Sequence, residues 1–104
     1  MTHVPNPHRG ETGLIVSGRE VLLRPSFSAL VALEDELGSL LALVERAGRG
    51  ELRLAELAAL FWHCLAEHQA ITRDEIGEAV IANGLAACTK PLRVLLRQIL
   101  RGVQ

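Results

Sequence analysis

The sequence has few aromatic residues and no net positive charge, the two features that commonly mark nucleic-acid-binding surfaces. It contains no tyrosine, one tryptophan and two phenylalanines, so we do not expect the stacking surfaces that bind single-stranded nucleic acid. Its formal net charge of −1 gives no overall attraction for DNA or for an acidic membrane surface. Any basic surface must therefore be local.

Long apolar runs and secretory features are also missing. The longest apolar run without a charged residue is Leu57 to Ala66, about half of the roughly 20 residues that a membrane-spanning helix needs. The first residues, MTHVPNPHRGE, contain no apolar segment of the kind that a secretory signal requires. We therefore expect a cytoplasmic protein, in which Cys64 and Cys88 are more readily buried thiols than a disulfide, although the sequence leaves pairing open.

What the chain does contain is helix-forming apolar sequence. Of its 104 residues, 49% are hydrophobic, mainly leucine and alanine, and these favour helix over strand. The length fits one domain. Residues 1–10, which hold two prolines, are predicted to be an irregular arm, and residues 11–104 a single small domain.

A β-hairpin is predicted over residues 11–24. Two β-forming runs, Leu14 to Val16 and Glu20 to Leu23, flank a turn in which Gly18 can supply the positive φ that a tight hairpin requires. Two strands alone are marginally stable in water, so the hairpin must pack against helices.

Five helical segments follow in the prediction. The first two are 26–38, capped by Ser26, and a segment from Ser39 to the glycines at 48–50. The next two are 54–68 and a segment from Thr72 to 83–84, where Thr72 and Glu75 have capping-box spacing. The last is predicted to run from about Pro91 to Gly102, because proline is tolerated in a first helical turn. The predicted fold class is α+β, mainly α, with a short N-terminal hairpin packed on four to five helices.

The stretch LFWHCLAEH, residues 60–68, is the most conspicuous candidate for a metal or catalytic site. Cys64 and His68 have the spacing of four that can share a metal ion, but a structural zinc site needs two more ligands. The other candidates stand in no paired ligand motif: Cys88, His3 and His8. Cys64 falls in an apolar row with Leu54 and Phe61, which predicts a core thiol rather than an activated one. We therefore expect no metal, no cofactor and no catalytic residue.

Two other charged features have structural interpretations. The acidic run Glu34-Asp35-Glu36 points in three directions on a helix and is interpreted as a solvated face. Residues 54–85 have the helix lengths of a helix-turn-helix motif, but the second helix begins with the acidic residues Asp74 and Glu75. Their negative charge would be repelled by the phosphates that border the major groove. Nucleic acid is therefore not an expected partner.

The last helix carries the candidate binding residues. Arg93, Arg97 and Arg101 recur every four residues and form a basic ridge, with an apolar band beside it. One interpretation is a core-packed helix with a solvated basic edge that complements its dipole. The other is a docking surface for an acidic or amphipathic partner. The candidate partner-binding residues are Leu92, Arg93, Leu96, Arg97, Ile99 and Arg101.

Several segments together resemble a known family. They are NPHRGE before the hairpin, LRPSFSALVALEDELG, LLALVERAGRGELRLAELAALF and EIGEAVIANGL. The chain resembles, from Asn6 to about Leu100, the small gene-transfer-agent and phage tail-assembly family, whose members are described as tail-assembly chaperones or as tail tube proteins. The shared motifs are patterns of apolar residues with a few polar residues among them. They therefore identify the family but do not identify a functional site.

The resemblance implies a non-enzymatic protein that acts in the bacterial cytoplasm while a phage-like tail is built. As a chaperone it would bind the long helical tape-measure protein and keep it from aggregating. A tube subunit would be expected to have more β-structure than one hairpin, which favours the chaperone. A small regulatory interaction module and a DNA-binding protein remain alternatives, and self-association remains open.

Overall fold

The computed structural model describes residues 11–67 and 71–102. A two-stranded antiparallel sheet is followed by five helices, which confirms the predicted α+β, mainly α class. The elements are β1 Thr12–Val16, β2 Arg19–Leu23, α1 Phe27–Leu37, α2 Leu40–Gly48, α3 Leu54–His63, α4 Arg73–Asn83 and α5 Leu85–Arg101. The predicted arm, with His3 and His8, and His68 lie outside the described residues.

The hairpin is tight, as predicted. Val16 pairs with Arg19, and the two residues between them have positive φ, 51° at Ser17 and 79° at Gly18. Positive φ at both central positions defines the type I′ turn, whose twist matches that of the flanking strands. Both strands are longer than predicted, since β1 begins at Thr12 and β2 at Arg19.

The chain that leaves α3 joins the outer edge of β2. The Arg24 N–H donates to the Cys64 carbonyl at 2.6 Å, and the Ala66 N–H donates to the Leu22 carbonyl at 2.9 Å. The prediction that α3 continues to His68 is wrong. The helix ends at His63, because the chain turns at Cys64 to make these sheet contacts.

The helix starts follow the predicted caps. Ser26 and Ser39 each accept a hydrogen bond at 3.2 Å from the backbone N–H three residues later. Thr72 and Glu75 form a reciprocal capping box, with distances of 3.1 Å from the Glu75 N–H to the Thr72 hydroxyl and 2.8 Å from the Thr72 N–H to the Glu75 carboxylate. These bonds satisfy backbone donors that would otherwise lack helical partners.

α5 begins earlier than predicted. It starts at Leu85, directly after Gly84, whose φ of 88° ends α4 and allows the two helices to meet at a bend of 119°. The predicted start at Pro91 is therefore wrong. Proline within a helix removes one hydrogen bond, here to the Ala87 carbonyl, at a cost of about 3 kcal/mol. Burial of the Pro91 ring offsets part of that cost.

The core lies between the inner face of the hairpin and the five helices, with α2 contributing Leu43. Its largest fully buried apolar side chains are Phe61, Leu23, Leu33, Leu60, Ile76 and Leu95. Leu54, predicted to share the core-facing row, is instead 48% exposed, because it is the first residue of α3 and lies beyond the edge of the core. No helix within residues 11–67 and 71–102 has by itself the length and apolar composition to cross a membrane; α4 and α5 meet that test only as a bent pair.

Candidate partner-binding surface

The arginines predicted to form a ridge lie exposed along α5. Arg93, Arg97 and Arg101 are joined on the same side by Lys90, three residues before Arg93, which the sequence analysis missed. We define these four residues as the basic ridge. Within residues 11–67 and 71–102 none of the four forms an ion pair, and α5 contains no acidic residue. The ridge is thus a strip of unneutralised positive charge.

The apolar residues beside the ridge differ in how much they contribute to the core. Leu92 packs against the buried cluster, and Leu95 is buried within it. Leu96 and Ile99 are half-buried. Leu100, which the sequence analysis left out, is 62% exposed. The apolar strip available to a partner is therefore Leu96, Ile99 and Leu100, with Leu92 mainly structural.

A shallow groove runs along the other side of the strip. It has a volume of about 150 Å³ and lies between the start of α5 and the chain that connects α2 to α3. Its lining is largely apolar: Ala47, Gly50, Leu52, Leu57, Leu85, Cys88, Thr89 and Leu92. Leu85 at its mouth is 62% exposed. The apolar surface of α5 thus extends toward its N-terminal end.

A second apolar surface lies on the outward side of α1. Phe27 is 85% exposed and Val31, one turn later, is 40% exposed. Glu34 and Asp35 follow on the same side and are exposed. The residues of α1 that pack inward are Ala29 and Leu33. The apolar residues of α1 therefore occupy two faces, and only one of them belongs to the core.

Glu36, the last residue of the acidic run, belongs to a charged cluster. Its carboxylate contacts His63 Nε2 at 2.9 Å and accepts from Arg73 Nη1 at 2.6 Å. The Arg73 guanidinium lies 4.8 Å from the centre of the Trp62 ring, and the Trp62 indole N–H donates to the Ile71 carbonyl at 3.2 Å. Glu36 is exposed, as predicted for the acidic run, and it also pairs with residues of α3 and α4. Hydrogen bonds from Arg73 and His63 hold the pKa of Glu36 below its usual value.

This cluster links α1, α3 and α4 through charged side chains. The His63 side chain is 11% exposed and joins Glu36 and Arg73 in a hydrogen-bonded network at the wall of an open pocket of about 400 Å³. Arg73 also stacks on the indole, an arrangement that stabilises a cation over an aromatic face. Glu36 lies 27 residues from His63 and 37 from Arg73. Local spacing in the sequence therefore could not have predicted these contacts.

Cys64 is an inert core thiol. It is fully buried, and burial raises its pKa to about 12, so the nucleophilic thiolate is negligible near neutral pH. Cys88 is also a buried free thiol, and burial raises its pKa. Among the described residues, no group of three or more His, Cys, Asp or Glu side chains could hold a metal ion.

Comparison with known proteins identifies a family. The sequence model of a family described as "Phage tail tube protein, GTA-gp10" matches residues 9–102. No curated protein and no solved structure matches the chain significantly. Because the match covers nearly the whole chain and agrees with the resemblance of its motifs, the chain belongs to the gene-transfer-agent and phage tail family described as phage tail tube protein, GTA-gp10.

Proposed function

We propose that this protein is a non-enzymatic tail-assembly chaperone that binds the tape-measure protein in the bacterial cytoplasm. The observation that carries the proposal is the basic ridge on α5, with its apolar strip of Leu96, Ile99 and Leu100. Four cations without ion-pair partners among the described residues border side chains that the core leaves partly uncovered. Such a surface suits an amphipathic helix with acidic residues along its apolar stripe.

The cargo's physical properties explain the need for this surface. A tape-measure protein exposes long amphipathic helices before a tube encloses them, and exposed apolar stripes aggregate. Contact with the strip on α5 would cover part of such a stripe. The basic ridge would orient the cargo and speed encounter, and its contribution to affinity would fall as the salt concentration rises, because exposed charges are screened. Reversible binding is required, since the cargo must later be released to tube subunits.

A structural tail tube component is the second candidate, and the description of the family favours it. We expect the wall of a tube to need a larger sheet than this chain supplies. Within residues 11–67 and 71–102 the sheet has two strands, with one bridge to Leu65 added at its edge. The small sheet therefore supports the chaperone over the wall subunit.

Two measurements on the same expression system separate the candidates. The protein is co-expressed with the tape-measure protein from the same tail gene cluster, and the tagged tape-measure protein is purified. A chaperone co-purifies with it but is absent from finished particles analysed by quantitative mass spectrometry. A tube component is present in finished particles at many copies. The chaperone proposal fails if the two proteins do not co-purify, or if finished particles contain multiple stoichiometric copies.

A further inference from the structure

The outward side of α1 has the opposite charge to α5. Phe27 and Val31 provide exposed apolar surface at the start of the helix, and Glu34 and Asp35 provide negative charge near its end. α1 contains no basic residue, whereas α5 contains no acidic one. The described residues thus present two exposed helix faces of complementary charge, each with its own apolar residues. On the α1 face, Glu34 also accepts a hydrogen bond from the Leu40 N–H at 2.9 Å.

We propose that the α1 face of one copy docks on the α5 face of a second copy. Complementary potentials steer association and disfavour the wrong orientation. The two faces differ, so the contact is heterologous: each copy can offer α1 to one neighbour and α5 to another.

The residue spacing specifies an antiparallel arrangement. If Phe27 is placed against Leu100, Val31 lies against Leu96, because the two residues of each pair on one helix are four positions apart. Three positions further along, after Val31 on α1 and before Leu96 on α5, Glu34 lies against Arg93. Antiparallel packing therefore matches apolar with apolar and acid with base in one register. It also places the α1 C-terminus near the N-terminal half of α5, where the helix dipoles attract.

The helix lengths allow this contact. α1 has 11 residues and α5 has 17, so at about 1.5 Å per residue they are roughly 16 Å and 25 Å long. α1 therefore fits within the length of α5 from Leu100 back to Lys90. Asp35 then lies beside Arg93, close enough for a reversal of its charge to weaken the contact.

The other exposed acidic face, on α4, does not match α5 in the same way. Ile81 is 61% exposed and lies near Asp74 and Glu78. Antiparallel docking that placed Ile81 on Leu96 would put Glu78 against Ile99 and not against an arginine. Glu78 is therefore a matched control: an exposed helical carboxylate outside the predicted contact.

The same α5 face is the one assigned to cargo above, so a second copy and the tape-measure protein would exclude each other. That consequence rests on the proposed function, but the contact between copies does not. Free protein would keep its apolar strip covered by α1 of a neighbour until cargo displaces it. Weak self-association is needed for such an exchange.

Sedimentation equilibrium of the full chain, without any tail protein, tests the contact. We expect the average mass of the wild-type protein to rise with concentration at low salt, and less so at high salt. Asp35→Arg and Arg93→Glu should each raise the dissociation constant at least about tenfold, a change of the size that loss of a close charge pair produces. An equimolar mixture of these two variants should recover association as pairs, because the unaltered α1 of the Arg93→Glu variant can dock on the unaltered α5 of the Asp35→Arg variant, and the two reversed positions are again of opposite charge. Phe27→Ala should weaken association without any change in charge.

Glu78→Arg and Leu41→Ala, which alters a leucine 68% exposed on α2, are the controls and should associate as the wild type does. Thermal unfolding of each variant establishes that it is folded. The inference is overturned if the wild type stays monomeric throughout, if the mixture does not recover association, or if Glu78→Arg acts like Asp35→Arg. Asp35→Arg leaves α5 unchanged, so tape-measure binding by this variant reports on the proposed function separately.

Discussion

Leu23 at the end of β2 forms an antiparallel bridge with Leu65, just after α3. Both side chains are buried, and backbone hydrogen bonds on either side connect Arg24 with Cys64 and Leu22 with Ala66. The hairpin is therefore joined to the helical part by backbone pairing as well as by packing. This arrangement explains how a sheet of two strands is stable in so small a protein.

Removal of the hairpin should destabilise the whole domain. We expect deletion of residues 1–24 to abolish cooperative thermal unfolding, because it exposes the core surface of α4 and α5 and removes the partner of Leu65. The milder Leu23→Ala should lower the free energy of unfolding by about 2–5 kcal/mol, since it leaves a cavity at a fully buried position. Circular dichroism monitors both experiments: thermal unfolding of the deletion variant and denaturant titration of Leu23→Ala. A deletion variant that melts as cooperatively as the parent would contradict the account.

Cys64→Ala should affect stability and not binding. The fully buried thiol contributes packing alone, so we expect a loss of roughly 1–2 kcal/mol and unchanged affinity for any partner. In the wild-type protein Cys64 should resist thiol reagents at neutral pH until the chain unfolds, because burial raises its pKa to about 12. Stoichiometric zinc in purified protein, lost on this substitution, would contradict the assignment, as would rapid labelling of Cys64 in the native state.

The pair formed by Arg46 and Glu56 should make stability pH-dependent. The two side chains are joined by a double hydrogen bond of 2.8 and 2.7 Å, and the Arg53 N–H also donates to Glu56 at 2.9 Å. Hydrogen bonds, first from Arg46 and then from Arg53, lower the pKa of Glu56 from 4.5 to about 2. The contribution is therefore present above the unfolded pKa of about 4.5 and is lost as the pH falls toward 2.

Glu56→Gln measures this contribution directly. We expect the variant to be less stable than the wild type by roughly 1 kcal/mol at neutral pH, with the difference disappearing as the pH approaches 2. Glu45→Gln, at an exposed position on α2, is the control for loss of a charge on the same face of the protein. A difference for Glu56→Gln that stays constant from neutral pH to pH 2 would show that the ion pair is not its source.

Local signals predicted most of the fold. The capping residues Ser26, Ser39 and Thr72 and the turn at Gly18 specify the starts and stops that the structure contains, since each satisfies backbone groups within a few residues. The errors arise where distant segments decide the outcome. α3 ends before His68 because its following chain pairs with β2, a contact between residues some 40 positions apart. α5 begins before Pro91 because Gly84 allows a sharp bend, and packing then outweighs the missing hydrogen bond.

The candidate surface was partly predictable for the same reason. The spacing of Arg93, Arg97 and Arg101 identifies a ridge on any helix, independently of tertiary packing. Lys90 was missed because the predicted helix started at Pro91. Which leucines remain available depends on tertiary packing, so Leu92 proves to be mainly structural and Leu100 exposed. Phe27 and Val31 could not be assigned to an outward face from spacing alone, because α1 has apolar residues on both faces.

The measurement that most directly tests the central claim is the affinity of the tape-measure protein for a variant with Arg93, Arg97 and Arg101 all changed to Glu. The control variant changes Arg19, Arg49 and Arg53 to Glu, three exposed residues outside α5 that alter the net charge equally. The account predicts that both variants stay folded and that the control binds as the wild type does. The α5 variant should bind at least about tenfold more weakly and lose the wild type's dependence on salt. A folded α5 variant with wild-type affinity would contradict the assignment of this surface to cargo.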